Sequence, residues 1–396
     1  MPVYLDYNAT TPVDPRVLDA MLPYFREHFG NAASRQHAFG WKAQEAVDGA
    51  RARIAALIGA DAREIAFTSG ATESDNLALK GVARASRPKG DHIITLVTEH
   101  KAVLDSCRQL EAEGFHVTYL PVDRDGLVDP EDLRRAITPR TVLISVMAAN
   151  NEIGVLQPLA AIGGMARDAG ILFHTDAVQA AGKVRFDVDD LHVDLASITA
   201  HKMYGPKGVG ALYIRRRSPR IPIEPLIDGG GQEQGVRSGT LNVAGIVGFG
   251  RAAEIAEAEL EAEGARLAAL RDRLWRQLSS TLGDIGLNGS PIARLPHTLN
   301  VGFGGVDGRA LMLALDDVAV SSGAACTSMD AEPSHVLLGL GVPPDVARSS
   351  LRFSLGRFTT ADEIDYAAGK VSAVVTHLRR QVPAFELEGS EAGPDL

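Results

Sequence analysis

Two residues suited to covalent and acid–base chemistry follow predicted strands in the middle of the chain. Lys202 comes just after a buried-looking apolar strand and is surrounded by small, hydroxyl and glycine residues. Partial burial there favours the neutral amine that forms a Schiff base. Asp176 ends another strand, where a carboxylate can pair with a protonated pyridine nitrogen, as in pyridoxal-phosphate enzymes. A surface lysine and a helix-capping aspartate are the structural alternatives, but the two residues together favour the chemical interpretation.

A third candidate element runs from an apolar strand through a Thr/Ser/Gly turn into a helix, over Phe67–Asn76. Backbone N–H groups at such a turn form an anion site, so Ala71 and Thr72 are expected to contact a phosphate. The alternative is a capping box, because Thr72 is followed three residues later by Asp75. The sequence contains no P-loop, and its later glycines do not complete a dinucleotide-binding fingerprint.

One histidine and one cysteine extend the set of reactive residues. His100 ends a strand, where an imidazole can stack on a cofactor ring or transfer a proton near neutral pH, although a capping role is the alternative. Cys326 lies among small residues with no helical apolar face, which predicts an exposed loop and a nucleophilic thiol. Cys107 instead shares an apolar stripe with Val103 and Leu110 and is expected in the core.

The surrounding pattern indicates a mostly parallel sheet covered by helices. From about residue 45 to 215, helical periodicity alternates with short β-branched runs. Functional groups of such sheets lie in loops beyond the carboxyl ends of the strands. The clearest predicted strands are Glu64–Thr68, His92–Val97, Thr141–Val146, Ile171–Thr175, Leu195–Ile198 and Gly210–Ile214, with helices at Glu131–Ala136 and Leu159–Ala169.

A proline-free stretch rich in Ala, Glu, Leu and Arg follows this pattern. Residues 244–282 predict one or two long helices, interrupted near Gly264, that lead into a second domain. The acidic, apolar-poor C-terminus is expected to be disordered.

Bulk properties narrow the class of protein. The 396 residues, 45% of them hydrophobic, are enough for two domains of a globular enzyme. The formal net charge of −10 argues against direct nucleic-acid binding, because phosphate backbones require clustered cations. No apolar run reaches the roughly 18 residues of a membrane span, and the N-terminus lacks a signal-peptide pattern, so a cytoplasmic location is expected. Two cysteines fit a reducing compartment, and no metal-ligand spacing is present, so no metal is expected.

Nine motifs in order give the chain a resemblance to the NifS/IscS-type cysteine desulfurases, which are fold-type I, class-V aminotransferase-like pyridoxal-phosphate enzymes. The match runs from residue 3 to about 372 through LDYNATTP, FTSGATESDN, TEHKAVL, NNEIG, HTDAVQ, HKMYGPKGVGALY, RSGT, SSGAACTS and RFSLGRFTT. The resemblance implies an α/β fold with a mostly parallel seven-stranded sheet and a smaller α+β domain. The implied boundaries are 15–261 for the large cofactor-binding domain, 1–14 plus 262–380 for the small domain with the cysteine loop, and 381–396 for the tail.

The resemblance also assigns roles to matching residues of this chain. Lys202 would carry the cofactor as a Schiff base, Asp176 would hold its pyridine nitrogen, and His100 would stack over its ring. The other implied contacts are Gln179 with the phenolic oxygen, Thr72, Thr199 and His201 with the phosphate, Thr240 with the phosphate across a homodimer interface, and Asn151 and Arg352 with the substrate carboxylate.

The implied activity converts L-cysteine to L-alanine and leaves the sulfur as a persulfide on Cys326. A sulfur acceptor such as an iron–sulfur scaffold would then receive it, with tRNA thiolation and DNA phosphorothioation as open alternatives. The chain departs from the family at Thr199, where serine is usual, and at Met329 and Asp330, where glycine and serine are common. It also lacks the longer C-terminal segment with which the housekeeping members dock a scaffold.

Three other functions fit parts of this pattern. An aminotransferase of the same fold would need Lys202, Asp176 and the phosphate site, but transamination needs no thiol at Cys326. A non-catalytic sulfur-relay or scaffold-binding protein would not need Lys202, Asp176 and His100. A preference for selenocysteine is also compatible, because the same carbon–chalcogen bond is cleaved.

Overall fold

A computed structural model of the chain describes residues 2–216, 218–322 and 332–381. Cys326 and the predicted tail after residue 381 therefore lie outside the described residues. The described strands are β1 (Val3–Tyr4), β2 (Ile65–Thr68), β3 (His92–Leu96), β4 (His116–Leu120), β5 (Thr141–Ser145), β6 (Leu172–Asp176), β7 (Leu195–Thr199), β8 (Gly210–Ile214), β9 (Ile285–Leu287), β10 (Thr298–Phe303), β11 (Val318–Ala319), β12 (Ser321–Ser322) and β13 (Leu351–Ser354).

The predicted seven-stranded, mostly parallel sheet is confirmed. Its strand order is β2-β8-β7-β6-β5-β3-β4. β8 runs antiparallel to both of its neighbours, and the other pairs are parallel. Parallel strands bring their carboxyl ends to one edge, so Asp176 at the end of β6 and Thr199 at the end of β7 become neighbours there.

Helices cover the sheet and link it to the rest of the chain. They are α1 (Pro15–Met21), α2 (Pro23–Arg26), α3 (Ala38–Leu57), α4 (Ala71–Asn76), α5 (Val82–Ser86), α6 (Lys101–Ala112), α7 (Pro130–Ala136), α8 (Leu159–Ala169), α9 (Val243–Thr281), α10 (Gly308–Ala314), α11 (His335–Gly339), α12 (Pro344–Arg348) and α13 (Ala361–Gln381). A π-helical turn, Leu77–Gly81, joins α4 to α5. None of the helices in the described ranges combines the length and apolar character of a membrane-crossing segment.

The expected interruption near Gly264 is wrong, because α9 is one continuous helix of 39 residues. A helical glycine costs about 1 kcal/mol relative to alanine, which is not enough to end a helix that tertiary packing stabilises. α9 packs against α1 and α3 in its first half and against α13 in its second half.

Two separate hydrophobic clusters lie along α9, and the division of the chain into two domains stays a prediction. One cluster includes buried residues of α9 as far as Ala256, together with residues of α3 and the large sheet. Another begins on α9 at Leu267 and includes Leu5, β10, β13 and α13. The second cluster lies on a four-stranded antiparallel sheet of order β12-β13-β10-β9. The boundary at 261/262 falls between these two clusters on an unbroken helix and stays a prediction.

Cys107 lies in the core, as predicted. Its side chain has no exposed surface and belongs to a cluster with Val103, Leu110 and residues of β3 and β5. Burial raises the pKa of its thiol to about 12, so at neutral pH it is protonated and unreactive.

Candidate active site

A cavity of about 630 Å³ opens at the carboxyl edge of the large sheet. The N-terminal segment and Arg352 of β13 form its far wall, so both halves of the chain contribute to it. Ten of the residues singled out from the sequence line this one cavity: Ala71, Thr72, His100, Asn151, Asp176, Gln179, Thr199, His201, Lys202 and Arg352. Thr240 does not line it and lies on an exposed segment before α9.

Lys202 ends a short 3-10 turn, Ala200–Lys202, that directly follows β7. Its Nζ donates hydrogen bonds to the backbone carbonyl of Asn8 and, at 2.7 Å, to that of Ala9. Burial, followed by the positive charge of Arg352, lowers the pKa of Lys202 to about 8. The neutral amine, the form that acts as a nucleophile or base, is therefore more populated near physiological pH than in an ordinary lysine.

Asp176 lies at the end of β6 with only 6% of its surface exposed. Its Oδ1 accepts a hydrogen bond from the Val178 N–H at 3.0 Å. Burial raises the pKa of Asp176, while His100, this N–H and Lys202 oppose the rise. A buried carboxylate in such surroundings is stabilised by a cation in the cavity, and a pyridinium N–H meets that requirement.

The capping-box alternative at Thr72 is wrong. Gly70 is the N-cap residue of α4, and the Asp75 side chain is buried rather than capping. Gly70 has φ 155°, a conformation that favours glycine, and a Cβ on Gly210 would lie 2.7 Å from the Gly70 Cα. The turn therefore lies close against β8, and the first residues of α4, Ala71 and Thr72, line the cavity, where an anion site requires them.

Asp75 belongs to a buried polar group beside Asp176, and it also lines the cavity. Neither of its carboxyl oxygens has a hydrogen-bond partner among the described residues, and Oδ1 lies 3.6 Å from His174 Nε2. Burial and the nearby Asp176 charge raise the pKa of Asp75, and burial raises that of Glu99. Burial also lowers the pKa of His174 to about 3. Burial therefore favours the neutral form of each of these three side chains.

The opposite end of the cavity combines hydroxyl, imidazole and lysine side chains. His201 Nδ1 lies 3.2 Å from Thr10 Oγ1, and burial followed by Lys202 and Lys207 lowers the pKa of His201 to about 4. The Thr199 hydroxyl donates to the Val209 carbonyl at 3.1 Å, so it must rotate to donate to a phosphate. Lys207, which sequence reasoning missed, also lines this end and adds a positive charge near an anion.

His100 caps the start of α6, the role that the sequence left open as an alternative to a role in the active site. It also lines the cavity. Its Nδ1 accepts a hydrogen bond from the Ala102 N–H at 3.1 Å at the start of α6. The neutral ring therefore carries its proton on Nε2. The cap fixes the ring at the cavity wall, where it can stack on a planar group.

Arg352 forms the carboxylate-binding end of the site. Its Nη1 donates to the Asn151 carbonyl at 2.9 Å, and its Nη2 donates to Asp6 at 2.6 Å and to the Ser321 hydroxyl at 2.9 Å. The buried Nε has no hydrogen-bond partner among the described residues. A largely buried guanidinium at a cavity wall is suited to an incoming carboxylate.

Asn8 is a functional position that sequence reasoning missed. Its carbonyl accepts from Gln179 Nε2 at 3.0 Å as well as from Lys202. Its side chain contacts Thr298 Oγ1 at 3.0 Å and His297 Nε2 at 2.9 Å, so it links the lysine to the small sheet. The only sequence signal was the motif LDYNATTP, which has no periodicity from which to infer a contact.

The same described residues contain no cluster of three or more His, Cys, Asp or Glu side chains able to hold a metal ion. The polar groups that line the cavity are instead a lysine amine, a buried carboxylate, a guanidinium and a set of groups suited to an anion.

Comparisons with known proteins agree with this arrangement. The aminotransferase class-V family matches residues 3–367. The chain is 58% identical over 387 residues to cysteine desulfurase IscS of Anaeromyxobacter dehalogenans (strain 2CP-C), covering 98% of this chain and 96% of that protein. It superimposes on a NifS-like protein with a TM-score of 0.89 and 41% identity, over 96% and 100% of the two chains. The structure "SspA in complex with cysteine" gives a TM-score of 0.80 and 39% identity, over 90% and 100%. The chain belongs to the pyridoxal-phosphate-dependent class-V aminotransferase family and, within it, to the NifS/IscS-type cysteine desulfurases.

Proposed function

We propose that this protein converts L-cysteine to L-alanine with bound pyridoxal phosphate and keeps the released sulfur as a persulfide on Cys326. The observation that carries the proposal is the presence of Lys202, Asp176 and Arg352 in one cavity. A lysine with its pKa lowered to about 8 supplies a base, and Asp176 supplies a buried carboxylate. The relatives named cysteine desulfurase span nearly the whole chain.

The side chains of the cavity fit pyridoxal phosphate along its full length. Asp176 would hold the pyridine nitrogen and His100 would stack on the ring. The turn at Ala71 and Thr72, with Thr199 and His201, would receive the phosphate, and Gln179 would face the phenolic oxygen. When bound, the cofactor supplies an electron sink for the pair left at Cα after proton removal.

Arg352 and Asn151 are the proposed binding groups for the substrate carboxylate. Both residues line the cavity, and a guanidinium can meet a carboxylate with two parallel hydrogen bonds. The related SspA structure contains cysteine, which supports an amino-acid ligand for this cavity. Lys202 would take the α-proton, and the carbonyls of Asn8 and Ala9 would hold its amine while it is free.

Cys326 would complete the reaction as a thiolate. Its sulfur attacks the sulfur of the substrate, so one S–S bond forms while the substrate Cβ–S bond breaks. The electrons of the broken bond stay with the three-carbon fragment, which gains protons and leaves as alanine. The transfer balances without an external oxidant, because the reduction of the substrate carbon matches the oxidation of the two sulfurs.

The proposal is tested by the visible spectrum of the purified protein before and after addition of L-cysteine, with alanine and sulfide assayed. We expect a cofactor band that changes on addition and alanine formed in proportion to sulfur released. A cofactor band with no alanine would favour an aminotransferase, and the absence of any band would favour a non-catalytic relay protein. L-selenocysteine in the same assay tests the preference for selenium.

The lowered pKa of Lys202 predicts a specific pH dependence for cofactor uptake. The amine must lose its proton before it attacks the cofactor aldehyde, so the rate of uptake by apoprotein should rise with pH and be half-maximal near pH 8. Stopped-flow growth of the visible band measures this rate. A midpoint near 10.5, the ordinary value for lysine, would contradict the burial of the amine.

A homodimer is part of the proposal. Thr240 is exposed and outside the cavity, which suits a residue that reaches the phosphate of a partner subunit. Phe29 and Trp41 are 66% and 60% exposed, an unusual state for aromatic side chains in a monomer. Residues 31–35 line one surface cavity together with residues 230–234 and Leu241. The segment that carries the two aromatic residues and the segment that carries Thr240 therefore share a face of the protein. Sedimentation of wild type and of Phe29→Asp tests the interface, and a wild-type monomer would contradict it.

A cytoplasmic location and a sulfur-acceptor partner complete the proposal. The two cysteines fit a reducing compartment, and the IscS name of the relatives supports delivery to iron–sulfur cluster assembly. Transfer of labelled sulfur from the persulfide to an iron–sulfur scaffold protein tests the identity of the acceptor. Faster transfer to a tRNA-thiolation carrier would indicate that carrier as the acceptor instead.

A further inference from the structure

Asp6 contacts the substrate-binding arginine from outside the cavity. Its Oδ1 accepts from Arg352 Nη2 at 2.6 Å and from the Ser321 hydroxyl at 2.9 Å. Both side chains of the ion pair are largely buried, with 18% of Asp6 and 11% of Arg352 exposed. Arg352 lines the main cavity and Asp6 does not, so the carboxylate holds the guanidinium from behind.

The backbone around Asp6 is fixed to the strand that carries Arg352. Asp6 forms a β-bridge with Ser354, and Ser354 also pairs with Leu5 and Tyr7 through backbone hydrogen bonds of 2.8 and 3.2 Å. Ser321 lies directly opposite Arg352 in the register of β12 and β13. Three segments distant in sequence therefore converge on one guanidinium, and the position of Asp6 is set independently of any ligand.

We infer that Asp6 is a positioning residue for recognition of the substrate carboxylate: it fixes the Arg352 guanidinium at the cavity wall, in position for the incoming carboxylate. This inference rests on the proposed function, because it assumes that Arg352 binds the carboxylate of an amino acid. An arginine side chain has four rotatable bonds, and an ion pair on one edge removes the freedom that binding would otherwise have to restrict. Ser321 shares the Asp6 oxygen and precedes Cys326 by five residues.

Asp6→Ala is expected to raise the KM for L-cysteine roughly tenfold, with kcat changed less than about threefold, because binding rather than chemistry is affected. Asp6→Asn keeps an oxygen that accepts from Arg352 and Ser321 and should recover most of the affinity. The sharper readout is binding of L-alanine and of ethylamine, followed by the visible cofactor band. L-Alanine should bind roughly tenfold more weakly to Asp6→Ala, and ethylamine, which lacks the carboxylate, should bind equally well to both proteins.

The matched control is Asp14→Asn. Asp14 is 2% exposed and pairs with Arg357 at 2.8 Å, but it does not line the cavity. We expect it to lower the thermal midpoint and leave both dissociation constants unchanged. Equal weakening of L-alanine and ethylamine by Asp6→Ala, no weakening of either, or tighter L-alanine binding would each overturn the inference. Failure of wild type to form alanine from L-cysteine would instead reject the proposed function, so the two failures are distinguishable.

Discussion

Replacing Lys202 with alanine is expected to reduce alanine formation from L-cysteine by roughly 10,000-fold or more, because the variant loses both the covalent link to the cofactor and the base. The cofactor should still bind through Asp176, His100 and the phosphate site. Borohydride reduction followed by mass spectrometry should therefore attach the cofactor to wild type and not to the variant. Turnover by Lys202→Ala within tenfold of wild type would contradict the assignment.

Lys183 offers a matched control for this experiment. It is 9% exposed, and burial lowers its pKa to about 8, as for Lys202. Its Nζ lies 4.4 Å from the centre of the Tyr204 ring and not in the cavity. Lys183→Met is therefore expected to keep the covalent cofactor and the turnover. A lowered pKa alone is therefore not enough to assign a catalytic role to a lysine. Lys202 differs from Lys183 because it lies in the cavity together with Asp176.

Replacing Cys326 with serine is expected to abolish sulfur transfer while leaving cofactor binding intact. A serine hydroxyl cannot accept the sulfur as a persulfide, so we expect alanine formation to fall by roughly 1,000-fold or more. The cofactor band should still change on addition of L-cysteine, because Lys202 and Arg352 are unaltered. Sulfide release at the wild-type rate from this variant would remove Cys326 from the mechanism.

Cys107→Ala is the control for the second cysteine. Cys107 is fully buried against the sheet and its thiol is protonated, so the variant should lose stability by about 1 kcal/mol with unchanged kinetic constants. A loss of turnover comparable to that of Cys326→Ser would contradict the different roles of the two cysteines. Thermal midpoints and alanine assays on both variants separate stability from chemistry.

The sequence was sufficient to locate the residues that follow strand ends. Asp176, Lys202 and His100 were found because parallel strands end at one edge, and strand ends can be read from β-branched runs. Six strands of the large sheet were predicted to within one residue at each end. The edge strand β4 was not among them, because its residues His116–Leu120 are only partly buried apart from Leu120 and lack the continuous apolar run of a buried strand.

Contacts between distant segments could not be predicted in the same way. Asn8 reaches Lys202, Gln179 and Thr298, and Asp6 reaches Arg352, across separations of 171 to 346 residues. Periodicity describes only local structure, so nothing in the first segment indicates these partners. The burial of Asp75 was hidden for a related reason, since a Thr-x-x-Asp spacing also fits an ordinary helix cap.

The central claim is that Cys326 receives the sulfur of L-cysteine as alanine is formed. The most direct test is a single turnover without added reductant, in which alanine is quantified and the peptide containing Cys326 is analysed by mass spectrometry. We expect one extra sulfur atom on that peptide, with the amount of modified peptide equal to the amount of alanine formed. We expect no extra sulfur on the peptide containing Cys107. Alanine formed in full amount with an unmodified Cys326 peptide would contradict it.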